Sequence, residues 1–200
     1  MMKIAYQGIP GSYSESCAKQ MYPECETISC KTFDECFEKA QQDNSIRSII
    51  PESNKTTGNI GIEYLIFKYR LNIYAEYFYK ISHNLLGIKD CKIEDIKDVY
   101  SHAQALGQSS IFIKKYKLTE QVRADTAGSA KYISESKDKS KAAIASSLSA
   151  EIYNLKIKYS MPIFPVVLFD SGIIVLILLS LFAISKHSSN VLHEIVSHPG

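Results

Sequence analysis

KIAYQGIPGSYSESCAKQMY, residues 3–22, decides how the rest of the chain is read. KIAYQG has the apolar content of a short strand, and IPGS is a glycine turn feeding a helix. Ser12 and Ser14 are both suited to cap that helix, and Glu15 stands three residues after Ser12, the spacing of a capping box. Moving outward, TFDECFEKAQQD (32–43) places Phe33, Cys36, Phe37 and Ala40 at i, i+3, i+4 and i+7, which predicts a second amphipathic helix. IRSIIP (46–51) is a β-branched strand expected to stop at Pro51. NIGIEYLIFKY (59–69) is a third helix with Ile62, Leu65, Ile66 and Tyr69 on one face. Strand, helix, strand and helix in alternation predict an α/β lobe with some parallel pairing.

A second block opens with LNIYAEYFYKISHNLLGI (71–88), which alternates and reads as a strand or a long hairpin. IEDIKDVYSHAQALGQSSIFIKKY (93–116) runs from a helical turn through the strand end DVYS into a helix around 103–116. ADTAGSAKYISES (124–136) repeats the pattern, and KAAIASSLSAEIYNL (141–155) is a strand turning into a last regular helix. Two hundred residues in this order make one domain, or two small lobes sharing a cleft. Both lobes set small and polar residues at helix N-termini, where unpaired N–H groups favour anions.

Lys and Arg number 23 against 21 Asp and Glu, and no basic stripe appears, so a nucleic-acid partner is not expected. The cysteines, Cys17, Cys25, Cys30, Cys36 and Cys91, form no C-x-x-C pair, and no secretory signal precedes them. Reduced thiols and a cytoplasmic location are the expectation. Four of the five lie in the first lobe without a paired histidine, so no metal site is expected. After Leu155 the character changes. Residues 172–184 are apolar except for Ser180, and as a helix these thirteen residues would reach about 20 Å against a hydrocarbon core of about 30 Å. The run is short for a membrane span, and no membrane is expected; a membrane tail is the alternative.

Three segments could carry chemistry. In PESNKTTGNIG (51–61), Asn54, Thr56, Thr57 and Gly58 could line a ligand-facing turn, or could serve only turn and cap geometry. In YSHAQALGQS (100–109), Ser101 and His102 leave a strand and Gln104 and Gln108 lie one helical turn apart. Adjacent side chains on an extended segment point apart, so a Ser-His nucleophile pair is disfavoured and ligand binding is the better reading. ADTAGSAKYI (124–133) offers Thr126 and Ser129 among alanines, equally suited to close helix packing.

Together these motifs resemble the prephenate dehydratase family over residues 3 to about 156. IAYQGIPGSYSE is similar to its N-terminal strand and glycine turn, PESNKTTG to P-x-E-N-[ST]-x-x-G, and YSHAQALGQ to S-H-x-x-A-L-x-Q. DTAGSAKYI with the helix after it is similar to the T-A-x-A-A segment. The resemblance implies an α/β fold of two lobes around a cleft, like a type II periplasmic binding protein. It also implies loss of water and carbon dioxide from prephenate to give phenylpyruvate for phenylalanine synthesis, with no cofactor. Arogenate dehydratases share the motifs, so prephenate and arogenate both stand as substrates, and a homodimer is possible. The substrate-binding positions carried over are Asn54, Thr56, Ser101, His102, Ala105, Leu106, Gln108, Thr126 and Ala127.

Two departures from the pattern matter. Ser53 occupies the motif's Glu position, with Glu52 one place earlier, and the family's Asn-x-Thr-Arg-Phe segment, whose Thr matters most for catalysis, is absent after YNL. LSLFAISKHSSNVLHEIVSHPG resembles the first strand and helix of an ACT regulatory domain. The expected organisation is a catalytic domain over 1–156 (lobes about 1–75 and 76–156), an atypical apolar junction over 157–177 and a truncated ACT-like start over 178–200. Catalysis is expected to be impaired; a non-catalytic remnant that binds an aromatic carboxylate is the alternative.

Overall fold

The computed structural model describes residues 1–54, 58–59, 61–161 and 172–180. The opening stretch folds as its pattern predicts: β1 (Lys3–Gln7) leads through the glycine turn into α1 (Tyr13–Met21), capped by Ser12. Ser12 Oγ accepts the Glu15 N–H at 3.3 Å, but Glu15 does not return the favour to Ser12. Its buried carboxylate accepts from the Gly11 N–H at 2.7 Å and from Thr27 Oγ1 at 2.9 Å, so the box is displaced by one residue. The same displacement recurs at α2 (Phe33–Gln42), where Thr32 caps the Glu35 N–H and Glu35 accepts from Lys31 N–H. Each cap ties a helix start to the strand end before it.

β2 (Glu26–Cys30) and β3 (Ile46–Asn54) pair with β1 in parallel on either side. Cys36, Phe37 and Ala40 of α2 pack beneath them with Ile62 and with Leu65 of α3 (Glu63–Tyr69), while Ile66 and Tyr69 lean on the same cluster. Three further strands complete the sheet, of which the short β4 (Gly58–Asn59) pairs antiparallel with the end of β3. β5 (Leu71–Lys80) forms the outer edge, and β11 (Gly172–Ser180) lies antiparallel between β3 and β5. Val175 and Ile177 enter the cluster of Ile4, Tyr6 and Ile49 on one face, and Leu176 and Leu178 join Phe37, Ile50 and Leu65 on the other. A strand buried on both faces has no polar positions to alternate, so its sequence is a continuous apolar run.

The second sheet has the order β10 (Lys156–Ser160), β6 (Asn84–Gly87), β9 (Lys141–Ala145), β7 (Asp98–Ser101) and β8 (Thr119–Val122), of which β7, β8 and β9 run parallel. α4 (Ala103–Gln108), α5 (Ser110–Lys115), α6 (Thr126–Ser136) and α7 (Ser147–Ile152) cover it. Leu106, Phe112 and Ile113 pack on one side, and Ala130, Ile133 and Ala150 belong to a second cluster with Leu86 and Ala143. The α/β architecture of two lobes is therefore the one expected.

Several boundaries differ from the sequence reading. Pro51 does not stop β3, because the pairing with β11 shifts register between Ile174 and Val175, opposite Pro51 to Ser53. An irregularity there tolerates a residue without an N–H. Residues 71–80 belong wholly to the first sheet and the chain crosses at 81–83, so the lobe boundary lies past 80 rather than at 75. The helix around 103–116 is two helices that meet at Ser109. Residues 157–177 are not simply a junction: 157–160 continue the second sheet and 172–177 are the core of the first. Residue 156, the expected end of the domain, is the start of a strand. Of the ACT-like start, 178–180 finish β11 and 181–200 lie outside the described residues. Among the described residues, no helix is long and apolar enough to cross a membrane.

Candidate functional site

The parallel strands of the first sheet end at Gln7, Cys30 and Asn54, and those of the second at Ser101, Val122 and Ala145. These two carboxyl edges meet. Ser146 Oγ and Ser149 Oγ donate to the Gly11 carbonyl at 2.6 and 2.8 Å, and Tyr153 OH donates to the Pro10 carbonyl at 2.7 Å. Gly11 has φ +91°, and a Cβ there would lie 2.6 Å from Ser149 Oγ, so only glycine fits the joint. Ligands of α/β sheets bind in the crevice outside the carboxyl ends of the strands.

The residues singled out in the sequence take different places around this joint. Asn54 ends β3, where its backbone pairs with Gly58 and with Ile173, and Thr56 lies outside the described residues. Ser101 is wholly buried and donates its only hydroxyl proton to the Ile144 carbonyl at 2.6 Å. That bond ties β7 to β9 and takes the donor that a ligand would need. His102 is exposed and caps α4, its Nδ1 accepting the Gln104 N–H at 3.3 Å. Ala105, Leu106 and Ala127 are buried packing residues, at 4%, 1% and 1% exposure, because they occupy the inward faces of α4 and α6. They offer no surface to a ligand. Thr126 is half-buried at the first position of α6, next to its cap Asp125, which accepts the Gly128 N–H.

Gln104 keeps a distinctive donor. Its Nε2 is shielded from solvent and makes no hydrogen bond to the described residues. A buried donor in this state costs about 1–3 kcal/mol, which an arriving acceptor would relieve. At the edge of the first sheet, Gln7, Thr32, Asp34 and Gly61 line a hollow of about 370 Å³ together with Phe33 and Ile62. That volume lies within the range of small-molecule pockets. Nothing in the sequence pattern singled out Gln7 or Thr32, since each reads as an ordinary strand end or helix cap.

His83 was also missed. It sits on the crossing between the sheets, buried, with Nδ1 2.7 Å from Tyr13 OH and Nε2 2.7 Å from Gln108 Oε1. Burial holds the imidazole below its usual range, a fall that the Gln108 hydrogen bond opposes, and burial pushes the Tyr13 phenol up. The available signal was a lone histidine between two apolar strands in YKISHNLL.

Comparison with known proteins agrees with this fold. Residues 4–160 match the family model described as prephenate dehydratase. Arogenate dehydratase 2 of Petunia hybrida is 41% identical over 157 residues, which are 78% of this chain and 40% of that relative. The chain thus spans about two fifths of the length of that curated relative. A solved structure titled as GqqA, a novel type of quorum quenching acylase, superposes with a TM-score of 0.80 at 27% identity, covering 89% of this chain and 64% of its own. The prephenate dehydratase of Arthrobacter aurescens in complex with L-Phe superposes at 0.77 over 90% of this chain and 60% of its own. At 18% identity that likeness is one of fold. The family match begins in β1, takes in all three polar motifs and ends with β10: the chain belongs to the prephenate dehydratase family.

Proposed function

We propose that the crevice between the two carboxyl edges binds prephenate or arogenate and that its chemistry is decarboxylating dehydration. For prephenate, the ring C–O bond and the bond to the ring carboxylate break. The electron pair of the latter enters the ring, the hydroxyl takes one proton and leaves as water, and carbon dioxide and phenylpyruvate remain. The ring gains aromaticity, so the protein has to orient two carboxylates and help the hydroxyl depart. Neutral donors suit that task. The observation that carries the reading is the meeting of the two strand-end edges at Gly11, in a chain whose residues 4–160 match this family. The shielded Gln104 amide supports it as a donor in need of an acceptor.

Turnover by this chain is slow in the same proposal, because Asn-x-Thr-Arg-Phe is missing between β10 and β11. Removing one transition-state donor costs about 10²–10³ in kcat. That absence also favours the second reading, a binder of aromatic carboxylates without catalysis. The test compares the native chain with one carrying Asn-x-Thr-Arg-Phe within 162–171, leaving both flanking strands intact. Phenylpyruvate formation at neutral pH should rise in the repaired chain. Robust turnover by the native chain would refute the impairment; binding without turnover in both would select the binder; no binding in either would sink the family chemistry here.

A further inference from the structure

We propose that Arg47 and Asn72 form a binding site for a small carboxylate at the amino end of the first sheet, on the face that α1 covers. The site is separate from the crevice. Arg47 is the second residue of β3 and the crevice lies beyond the last, Asn54, seven residues of extended strand or about 20 Å away. Register puts the two side chains on one face. Leu178 of β11 pairs with Ser48 on β3 and with Ile73 on β5, and it packs on the α2 side, where Ser48 Oγ donates to the Cys36 carbonyl. Arg47 and Asn72 stand one residue earlier on each strand, so both face the opposite side, that of Ile49 and of Cys17 and Ala18 on α1. Two strand spacings, about 10 Å, separate their backbones. The arginine side chain crosses much of that gap: its guanidinium lies 4.8 Å from the centroid of the Tyr74 ring, two residues from Asn72 on β5, and 5.6 Å from that of Tyr22.

What the pair has in common is a surplus of donors. A guanidinium carries five N–H groups and no acceptor. One of them reaches Tyr22 OH at 3.3 Å, and among the described residues no carboxylate pairs with Arg47. Asp43, the nearest acid before it in the chain, accepts from the Ser45 N–H and hydroxyl at 2.8 and 2.7 Å. Asn72 Nδ2 is shielded from solvent and makes no hydrogen bond to the described residues. Stacking between two rings, beside the end of α1, accounts for where the guanidinium lies but not for the unmet Asn72 donor. Two donors cannot satisfy each other. A carboxylate satisfies both, one oxygen accepting from the guanidinium and the other from the amide.

Two measurements on the full chain test this, and neither depends on whether the crevice binds prephenate. Acetate is the probe, titrated against chloride at constant ionic strength. The Arg47 Nε–H and Asn72 side-chain N–H resonances are followed in ¹⁵N spectra and identified by their loss in Arg47→Gln and Asn72→Leu. Both should move together and saturate at one Kd. Losing one hydrogen bond to a charged acceptor should weaken binding about tenfold to a hundredfold in Asn72→Leu, and Arg47→Gln should abolish it. The second measurement is urea unfolding without acetate. Asn72→Leu, close to the parent in size, should leave the midpoint unchanged or raise it, since the donor it removes has no partner. Asn72→Asp brings its own carboxylate to Arg47, so it should raise the midpoint and abolish the acetate response. Resonances that stay still, or drift without saturating, overturn the proposal, as does saturation of the Asn72 resonances that survives Arg47→Gln. A lower midpoint in Asn72→Leu also overturns it, because the amide would then be satisfied within the protein already, and so does a lower midpoint in Asn72→Asp.

Discussion

Ile177 offers the sharpest test of how the first lobe is built. It is wholly buried at the centre of β11, pairing with Ile49 on one side and Ala75 on the other. Ile177→Ala removes three carbons from a site walled by strands that are themselves held in register, so the cavity cannot collapse. Truncations of this kind cost about 2–5 kcal/mol, and the enclosed position puts the expectation at about 3–4 kcal/mol. Domain stabilities are about 5–15 kcal/mol, so the loss is a large share of the total. With a urea slope of about 2 kcal/mol/M, the midpoint should fall by about 1.5–2 M at constant slope. Ile157→Ala is the control. Ile157 lies in the same apolar tail but is 44% exposed on β10, and its loss should cost less than about 1 kcal/mol. Urea unfolding followed by far-ultraviolet circular dichroism separates the cases. If Ile177→Ala unfolds within about 0.5 kcal/mol of the parent while Ile49→Ala costs the full cavity penalty, β11 is not in the sheet and the tail is a passive junction.

Gly11→Ala should cost about 2–4 kcal/mol, from the strained positive φ and the contact with Ser149, and urea unfolding would show it. Ser149→Gly in the same chain should recover part of that loss; no recovery would place the cost entirely in the backbone. For His83, burial lowers the folded-state pKa below that of the unfolded chain, so acid adds its proton to the unfolded state first. The stabilising contribution is therefore whole above the unfolded pKa, about 6.5, and declines as pH falls through the folded value. Parent minus His83→Gln stability, measured at pH 7.5 and 5, should shrink on acidification; a constant difference would refute the linkage. Burial pushes the Cys17 thiol up to about 12, so at pH 8 iodoacetamide should leave it unmodified in the native protein and modify it in urea, as read by peptide mass spectrometry.

The first lobe's opening was legible because local rules and the fold agree there. Ser12 and Phe33 to Ala40 sit where cap chemistry and helical spacing put them. β11 was not legible, because a strand covered on both faces has no period to read and its partners, β3 and β5, lie more than ninety residues earlier. The lobe boundary failed for the same reason: β5 looks like the start of a hairpin until β11 arrives to pair with it. The second motif falls at the carboxyl end of β7 and on α4, but the sequence did not give the job of each side chain. Ser101, Ala105 and Leu106 share a segment with Gln104 and Gln108, yet the first three serve the fold. Periodicity of a six-residue helix is too brief to sort them.

That division narrows where catalytic difference can reside. The hydroxyls of Ser101, Ser146 and Ser149 are committed to backbone carbonyls, so the second sheet supplies a rigid edge more than a set of reactive groups. Backbone pairing sets Asn54 beside both Gly58 and Ile173. The chain between Asn54 and Gly58 is three residues, 55–57, and β11 begins at Gly172, next to the Ile173 that pairs with Asn54. Ser53, where the family has Glu, stands at that end of β3 as well. A group introduced into 162–171 close to Gly172 therefore enters next to the altered motif rather than at a distance from it. Ser53 pairs with Ile174, two residues after Gly172, so a repair made just before Gly172 should be read together with Ser53→Glu. A double change that is active where each single change is not would show that they act as a unit. Independent, multiplicative effects would show that each departure impairs a separate step.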